Sequence, residues 1–306
     1  MLILNSFAGL NKIERSVNLA IGFFDGVHEG HEAVIRNVSC GDDSATVVLT
    51  FDPHPSSILS PRLPIPIITP LEHKQRLIAK LGVDYLLVIK FDEDRANQSA
   101  EKFVSEIVDS CELKSISVGN EFRFGCKRKG DVDFLTELGR DLGFKVIGID
   151  RVSDGRGDVI SCTRVRESLK SGNLKDAKSL LGRDFSISGL VTKGDGVGRE
   201  MSFPTANIED LESVAIPYGV YAVLADLRGE SFQGVANLGV RPTVMGSNNS
   251  KPKLEVHLFD FDRMIYGETL EISFVEYLRE EKKFNSFADL KNQINDDVIA
   301  TKRMFS

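Results

Sequence analysis

The sequence predicts two domains of different fold class, an α/β domain followed by an all-β domain. The chain has 306 residues, which is more than a single hydrophobic core usually supports. In the first half, apolar strand-like runs alternate with helix-like segments, which indicates a parallel sheet covered by helices. After Gly182, short strand-like runs follow one another without helices, which indicates an antiparallel β-barrel. We therefore expect domains of residues 1–182 and 183–306.

The expected elements of the first domain alternate in type along the chain. Its strands are expected at residues 17–23, 45–51, 85–89, 115–118 and 144–149. Its helices are expected at residues 31–38, 71–81, 100–108 and 132–142, followed by two bridging helices at 163–170 and 174–181. The strands are apolar on both faces, as expected of a parallel sheet with right-handed crossovers.

The second domain is expected to consist of strands and one final helix. The strands are expected at residues 185–192, 219–226, 231–238, 254–259 and 269–278. The helix is expected to begin at Ser286, where Asp289 completes a weak capping box. Its apolar positions recur on one face, at Phe287, Leu290, Ile294 and Val298.

Composition excludes several classes of protein. The net charge of −7 argues against a nucleic-acid binder, which usually has a basic surface. No apolar run approaches the roughly 18 residues of a membrane span, and the N-terminus lacks the pattern of a secretory signal, so we expect a cytoplasmic protein with no membrane partner. The four cysteines have neither disulfide nor zinc-site spacing, and free thiols are expected at Cys40, Cys111, Cys126 and Cys162. The sequence does not fix the oligomeric state.

The first candidate site lies at residues 22–31 (GFFDGVHEGH), between a predicted strand and a predicted helix. A helix N-terminus offers unpaired backbone N–H groups to an anion, and Gly26 and Gly30 allow a phosphate to approach the backbone. His28 and His31 would donate hydrogen bonds as negative charge builds up during phosphate chemistry. A pair of polar loop histidines is the alternative. Residues 51–55 (FDPHP) end a neighbouring strand at the same sheet edge, which favours a site.

The second candidate site follows a glycine-rich loop at residues 193–199 (KGDGVGR). This loop lies between strands, so it is neither a dinucleotide fingerprint nor a Walker loop, but its backbone amides could face phosphates. Residues 203–207 (FPTAN) come next. In an extended segment Thr205 and Asn207 share one side, and their oxygens suit Mg²⁺ and a nucleotide.

A carboxylate in a later strand completes the second candidate site. Strand alternation places Leu254, Val256 and Leu258 on one face and Glu255 on the other. A kinase that phosphorylates an alcohol needs a group that accepts the hydroxyl proton, and Glu255 could do so. An ordinary solvent-facing strand glutamate is the alternative.

These motifs resemble those of the prokaryotic bifunctional riboflavin kinase/FMN adenylyltransferase family, also called FAD synthetases, over essentially the whole chain. Further matching segments are residues 118–125 (VGNEFRFG), 160–166 (ISCTRVR), 239–243 (GVRPT), 266–267 (YG) and 278–284 (LREEKKF). The resemblance implies a Rossmann-like nucleotidylyltransferase domain followed by a riboflavin kinase barrel with a C-terminal helix. It also implies ATP and Mg²⁺ for both steps, riboflavin and FMN as substrates, and FMN and FAD as products.

The resemblance assigns roles to particular residues. His28 and His31 would contact the ATP phosphates, and Glu255 would be the base for the ribityl hydroxyl. Thr205 and Asn207 would hold magnesium. ATP or phosphate contacts are expected from Gly22, Asp25, Gly26, Gly30, Arg166, Gly194, Gly196 and Gly198. Flavin contacts are expected from Phe51, Pro53, Glu121 and Arg279, although a structural ion pair is an equal alternative for Arg279.

The chain departs from the family pattern at three positions. Glu121 stands where the family usually has Asp or Asn, Cys162 replaces a serine, and Ser202 replaces a glycine. The basic run at residues 127–129 (KRK) fits either a phosphate contact or a solvated loop, and we do not count it as a site.

Three other functions remain open at this stage. The chain could retain only one of the two activities, with the other domain as a scaffold. It could bind a flavin or nucleotide as a regulator without turnover, although binding alone would not require a proton acceptor such as Glu255. It could also adenylylate a different phosphorylated substrate, which the second domain makes less favourable.

Overall fold

The computed structural model describes residues 1–38, 43–62, 65–194, 203–209, 211, 214–240 and 252–306. The chain forms two compact units, Met1–Cys162 and Thr163–Ser306. The first unit therefore ends earlier than the domain boundary expected after residue 182, which stays a prediction. No helix in the described ranges is both long and apolar enough to cross a lipid bilayer.

The first unit is built on a six-stranded parallel sheet, which confirms the α/β prediction. Its strands in chain order are β1 (Leu2–Leu4), β2 (Val17–Ile21), β3 (Ala45–Asp52), β4 (Tyr85–Lys90), β5 (Leu113–Gly119) and β6 (Lys145–Ile149). Their order in the sheet is β1-β4-β3-β2-β5-β6. Every neighbouring pair is parallel, so β2 and β3 end at the same edge.

Helices cover both faces of this sheet. They are α1 (Glu29–Arg36), α2 (Pro55–Leu59), α3 (Leu71–Ala79), α4 (Glu93–Asn97), α5 (Ala100–Val108) and α6 (Val132–Leu142). Alternate residues of β2 belong to different apolar clusters: Leu19 and Ile21 to one, Ala20 to the other. Because side chains alternate across a strand, the two clusters lie on opposite faces. The first includes residues of α5 and α6, and the second includes residues of α1 and α3.

The second unit is a closed six-stranded antiparallel barrel, which confirms the predicted barrel and adds one short strand, at Ala206–Ile208, to the five expected. Its strands are β7 (Phe185–Thr192), β8 (Ala206–Ile208), β9 (Gly219–Leu227), β10 (Glu230–Val240), β11 (Pro252–Leu258) and β12 (Thr269–Arg279). Their order is β10-β11-β8-β7-β12-β9, and β9 pairs with β10 to close the ring. Strand β8 is short and pairs at three positions with β11 and two with β7.

Three helices accompany the strands of this half of the chain. Two short ones precede the barrel, α7 (Cys162–Lys170) and α8 (Leu174–Leu181), and α9 (Phe287–Phe305) ends the chain. The predicted cap of α9 is confirmed, since the Ser286 hydroxyl accepts a hydrogen bond from the Asp289 N–H at 3.1 Å. The predicted apolar face is wrong at Phe287, which is 62% exposed. The buried residues of α9 are instead polar, Asp297 and Thr301.

Candidate active sites

The turn between β2 and α1 has an unusual backbone that explains its glycines. Phe24, Gly26 and Val27 all have positive φ angles, of 50°, 84° and 42°. Positive φ is uncommon for residues with a side chain, so the surrounding contacts must hold this turn. A Cβ added at Gly22 would collide with the Phe24 ring, and one at Gly30 would crowd the His28 ring at 3.1 Å. The glycines therefore shape the turn itself.

His28 and His31 lie together at the N-terminus of α1. His28 is the N-cap residue, and its Nδ1 accepts a hydrogen bond from the His31 N–H at 3.2 Å. The two imidazole rings stack with centroids 3.6 Å apart. The Phe24 ring packs edge-on against His31 at 5.4 Å. The sequence-predicted histidines thus form one cluster at a helix end, where the helix dipole favours an anion.

Three buried side chains, those of Asp25, Thr50 and Lys74, hold the turn in place. The Asp25 carboxylate accepts hydrogen bonds from the backbone N–H groups of Ile68 and Thr69, both at 3.0 Å. The Phe23 carbonyl accepts one from the Thr50 hydroxyl at 3.0 Å and one from the Lys74 amine at 2.9 Å. Asp25, which was predicted to contact ATP, is therefore buried and bound to the backbone of a neighbouring loop.

Lys74 is a functional candidate that the sequence analysis missed. Burial lowers the pKa of its amine, and the negative charges of Asp25 and Asp52 oppose that effect only in part. A buried lysine usually carries a structural or chemical role, since leaving water costs free energy. Lys74 lies within a helix of ordinary amphipathic pattern, so the sequence offered no sign of this contact.

Two adjoining pockets open beside the turn. The smaller, with a volume of about 250 Å³, is lined by His28, Gly30, His31 and residues of the β5 and β6 ends such as Asn120. The larger, about 520 Å³, is lined by aromatic and basic side chains: Phe51, Phe91, Phe103, Phe124, Arg95, Arg123, Lys127 and Arg128. Phe23 and Phe122 line both pockets. The smaller pocket is called the histidine pocket below, and the larger the aromatic pocket.

The predicted flavin residues of this unit divide between the two pockets. Phe51 lines the aromatic pocket and packs against Phe23 at 5.6 Å. Pro53 is exposed and not among the lining residues, whereas its neighbour His54 is. Glu121 lines the histidine pocket and forms an ion pair with Arg151. Two residues of the basic run, Lys127 and Arg128, line the aromatic pocket, although the sequence analysis did not count this run as a site.

Cys162 adds a thiol to the histidine cluster. Its Sγ lies 3.5 Å from His28 Nε2 and 3.8 Å from His31 Nε2. The sequence gave no sign of this meeting, because the thiol is more than 130 positions away from both histidines. Arg166 follows on α7 and belongs to the second unit.

In the second unit, the strand register brings Asn207 and Glu255 together. Asn207 on β8 pairs directly with Glu255 on β11, and Glu255 in turn pairs with Asn237 on β10. Side chains at paired positions lie on the same face with Cβ atoms about 5 Å apart. Leu254, Val256 and Leu258 are buried, as alternation predicted. A neighbour that the sequence missed, Lys253, forms an ion pair with Glu255 at 2.6 Å.

The side-chain amide of Asn207 uses its nitrogen in a hydrogen bond, while its oxygen has no partner among the described residues. Its Nδ2 donates to the Thr205 carbonyl at 3.3 Å. Its Oδ1 is buried, and the described residues give it no hydrogen-bond partner. A Cβ at Gly194 would collide with this amide, so the glycine makes room for it. A buried carbonyl oxygen without a donor suits a hard cation. The other predicted loop residues, Gly196 and Gly198, lie outside the described residues, as does Ser202.

A third pocket, of about 290 Å³, opens beside Thr205. It is lined by Pro204, Thr205, Val256 and the segment from Phe261 to Tyr266. The segment includes the tyrosine of the YG motif, residues 266–267. Thr205, which precedes Asn207 by two residues in the sequence, thus lines a cavity.

Arg279 forms a structural ion pair in this unit. Its guanidinium donates to both oxygens of the Asp297 carboxylate, with Nε–Oδ1 at 3.0 Å and Nη2–Oδ2 at 2.7 Å. Asp297 lies on α9, so the pair joins the end of β12 to the final helix. Its predicted flavin contact stays a prediction.

The fold and the two clusters define a class of protein. A parallel sheet with histidines at a helix N-terminus suits nucleotide phosphates. A barrel that sets an amide oxygen beside a carboxylate suits transfer of a phosphoryl group to an alcohol. Together they indicate a two-domain nucleotide-dependent transferase.

Comparisons with known proteins agree with this class. The FAD synthetase family model matches residues 10–164, and the riboflavin kinase family model matches residues 181–305. The bifunctional riboflavin kinase/FMN adenylyltransferase of Haemophilus influenzae is 37% identical over 100% of both chains. That of Buchnera aphidicola subsp. Schizaphis graminum is 35% identical over 100% of this chain and 99% of the relative. The chain therefore belongs to the bifunctional riboflavin kinase/FMN adenylyltransferase family.

A solved structure has a similar fold over almost the full length. It is described as a macrolide-efflux protein from Streptococcus pneumoniae, and it is 28% identical, with a TM-score of 0.80 over 98% of both chains.

Proposed function

We propose that this chain makes FAD from riboflavin in two consecutive ATP-dependent steps. The second unit transfers the γ-phosphate of ATP to riboflavin, giving FMN and ADP. The first unit transfers AMP from a second ATP to FMN, giving FAD and pyrophosphate. The observation that carries this proposal is that each unit has its own cluster of residues suited to phosphate chemistry. Among the described residues, Cys111, Cys126 and Cys162 form no disulfide, which suits a reducing compartment, and we place the enzyme in the cytoplasm.

In the kinase step, Glu255 accepts the proton of the ribityl hydroxyl as the hydroxyl oxygen attacks the γ-phosphorus of ATP and ADP leaves. A carboxylate within hydrogen-bond reach of the hydroxyl raises the rate by about 10²–10⁴-fold in such reactions. The ion pair with Lys253 holds the carboxylate in place. The pocket beside Thr205 is the candidate position for the nucleotide.

Magnesium fits the second unit because of the buried, unsatisfied oxygen of Asn207. Asn207 Oδ1 and the Thr205 hydroxyl are the oxygens that would hold the ion. When bound, magnesium would neutralise charge on the phosphates of ATP. Gly194 keeps the Asn207 amide in position, because any side chain there would displace it.

In the adenylylation step, the phosphate of FMN is already an anion, so neither a base nor a covalent nucleophile is needed. His28 and His31 donate hydrogen bonds to phosphate oxygens as the FMN phosphate attacks the α-phosphorus and pyrophosphate leaves. The aromatic pocket fits FMN, because phenylalanine rings can stack on the isoalloxazine and basic side chains can meet the phosphate. Phe23 and Phe122, shared by both pockets, mark where the two substrates would meet.

The experiment is incubation of the purified protein with riboflavin, ATP and magnesium, followed by separation of the flavins. We expect FMN and then FAD to accumulate. Glu255→Gln should reduce FMN formation by at least about 10²-fold and leave FMN-to-FAD conversion intact. His28→Ala should reduce FAD formation by about 10²–10³-fold and leave the kinase step intact. Unchanged riboflavin, or a variant that abolishes both steps while folded, would contradict the proposal.

A further inference from the structure

Cys162 brings a soft ligand atom to the histidine pair, although neither proposed reaction uses a thiol. The Sγ of Cys162 and one ring nitrogen from each of His28 and His31 all lie within 4.8 Å of one another. In the described parts of the chain, this is the one group of three or more His, Cys, Asp or Glu side chains with converging ligand atoms. The group joins the end of the first unit to its first helix.

The distances match those of a zinc site. Zinc lies about 2.0–2.1 Å from a histidine nitrogen and about 2.3 Å from a thiolate sulfur, so a tetrahedral site separates N and S by about 3.6 Å. The observed separations from Cys162 Sγ are 3.5 Å to His28 Nε2 and 3.8 Å to His31 Nε2. Two imidazoles and one thiolate, with a fourth position open to water or phosphate, suit Zn²⁺, whereas Mg²⁺ prefers oxygen ligands.

We propose that His28, His31 and Cys162 form a zinc-binding site, and that zinc bound there blocks adenylyl transfer. The inhibitory half of this proposal rests on the proposed function of the two histidines. The binding half does not, because it concerns only the three ligands.

Zinc should act as an antagonist because it requires a different arrangement of the rings. The lone pair of an imidazole nitrogen lies in the ring plane, and the two rings now stack with planes 16° apart. One ring must therefore tilt before both can point at a single ion. Coordination through His28 Nε2 also puts the ring proton on Nδ1, which can then no longer accept the His31 N–H. Zinc thus removes the N-cap that orders the phosphate site.

We expect zinc to prefer this site over the second unit, because Cys162 can lose its proton and bind the metal as a thiolate. The oxygen ligands of the second unit are a poor match for zinc in competition with a site that contains a thiolate.

The binding test is a titration of the full-length protein with Co²⁺ as a spectroscopic substitute, without substrates. We expect a thiolate-to-cobalt charge-transfer band in the near ultraviolet that saturates at one equivalent. Substitution of a residue that hydrogen-bonds a metal ligand typically lowers the affinity for the metal by about 10–100-fold. Loss of the ligand itself in Cys162→Ser should therefore weaken cobalt binding by more than about 100-fold. Cys162→Ala is the second variant, and Cys126→Ser is the matched control that should keep the band. No band in the wild type, or a band that persists without Cys162, would overturn the site.

The activity test adds Zn²⁺ to both steps in the presence of the same ATP and magnesium. We expect FMN-to-FAD conversion by the wild type to fall at least about tenfold while riboflavin phosphorylation is unchanged. Each variant is compared with its own zinc-free rate, and Cys162→Ser should resist the inhibition. Equal inhibition of both steps, or of Cys162→Ser, would overturn the antagonism. The cobalt titration requires no turnover, so its result is separate from that of the proposed reactions.

Discussion

Gly194 shows how a residue singled out from the sequence can have a structural role that the sequence did not suggest. The glycine-rich loop suggested backbone amides facing a phosphate. The structure adds a second reason for the glycine, because the Asn207 amide occupies the space that a Cβ would need. The pattern could not reveal this contact, since it joins a residue that follows β7 to the side chain of a residue on β8.

We expect Gly194→Ala to lower riboflavin phosphorylation by roughly tenfold or more, because it displaces the Asn207 oxygen proposed to hold magnesium. FMN-to-FAD conversion should be unchanged. The matched control is Gly155→Ala, where the Cβ would enter open space. Rates of both steps are measured for each variant, and wild-type phosphorylation by Gly194→Ala would refute this reading of the contact.

Lys74 gives a second prediction for a single residue, in the first unit. Its amine donates a hydrogen bond to the Phe23 carbonyl, in a turn that contains several residues with positive φ angles. Lys74→Met should slow FMN adenylylation by roughly tenfold or more while the kinase step serves as the internal control. An unaltered adenylylation rate would show that Thr50 alone suffices to hold the turn.

The same variant should change how stability depends on pH. Burial lowers the Lys74 pKa below its ordinary value of 10.5 in the folded protein, so between the two values the unfolded chain binds more protons. The stability that Lys74 confers should therefore rise with pH in that window, relative to Lys74→Met. Unfolding midpoints of both proteins at about pH 7 and about pH 9.5 measure this. A difference between the two midpoints that is the same at both pH values, or smaller at the higher pH, would contradict the lowered pKa of Lys74.

At the scale of elements, long periodic segments were predictable and short ones were not. The helices at Ala100–Val108, Val132–Leu142 and Leu174–Leu181 begin and end where the pattern placed them. The elements β1, α2, α4 and β8 were missed, because three to five residues are too few to show a period. The burial of α9 was misjudged because its anchor is an ion pair, which hydrophobic patterning does not detect.

That anchor should control the docking of α9. Removing one partner of a buried ion pair leaves a charge without compensation, so Asp297→Ala should destabilise the second unit by about 3 kcal/mol. The exposed pair between Arg263 and Glu230 is the control, because screening by water makes such pairs weak. Chemical unfolding of Asp297→Ala and Glu230→Ala compares them, and similar losses in both would contradict the anchoring role.

At the scale of the whole molecule, the two units carry separate sites within one chain. The motifs identified each cluster, but their assembly depends on tertiary structure. The pairing of Asn207 with Glu255 comes from strand register, and the meeting of Cys162 with the histidines comes from the fold of the first unit. Local sequence encodes neither contact. The motifs assigned Asn207 and Glu255 to one site without their register, and the meeting of the thiol with the histidines was missed.

Because each unit has its own cluster, one chain should be able to supply FMN to another. We expect neither His28→Ala nor Glu255→Gln alone to make much FAD from riboflavin, and an equimolar mixture of the two to restore it. The measurement is FAD formed from riboflavin over time, with each variant alone as the control. A mixture no better than the single variants would mean that FMN does not pass between chains.

The shortness of β8 has a further consequence for how the barrel behaves in solution. Strand β8 has three paired positions with β11 and two with β7. Local opening is easiest where few residue pairs must separate, so β8 should be the strand that leaves the barrel most easily. Backbone amides of residues 206–208 should therefore exchange with deuterium sooner than those along β9 and β10. A nucleotide that contacts Asn207 would slow that exchange, because it binds only when β8 is paired. The substrate would thus stabilise the barrel at the strand where it binds.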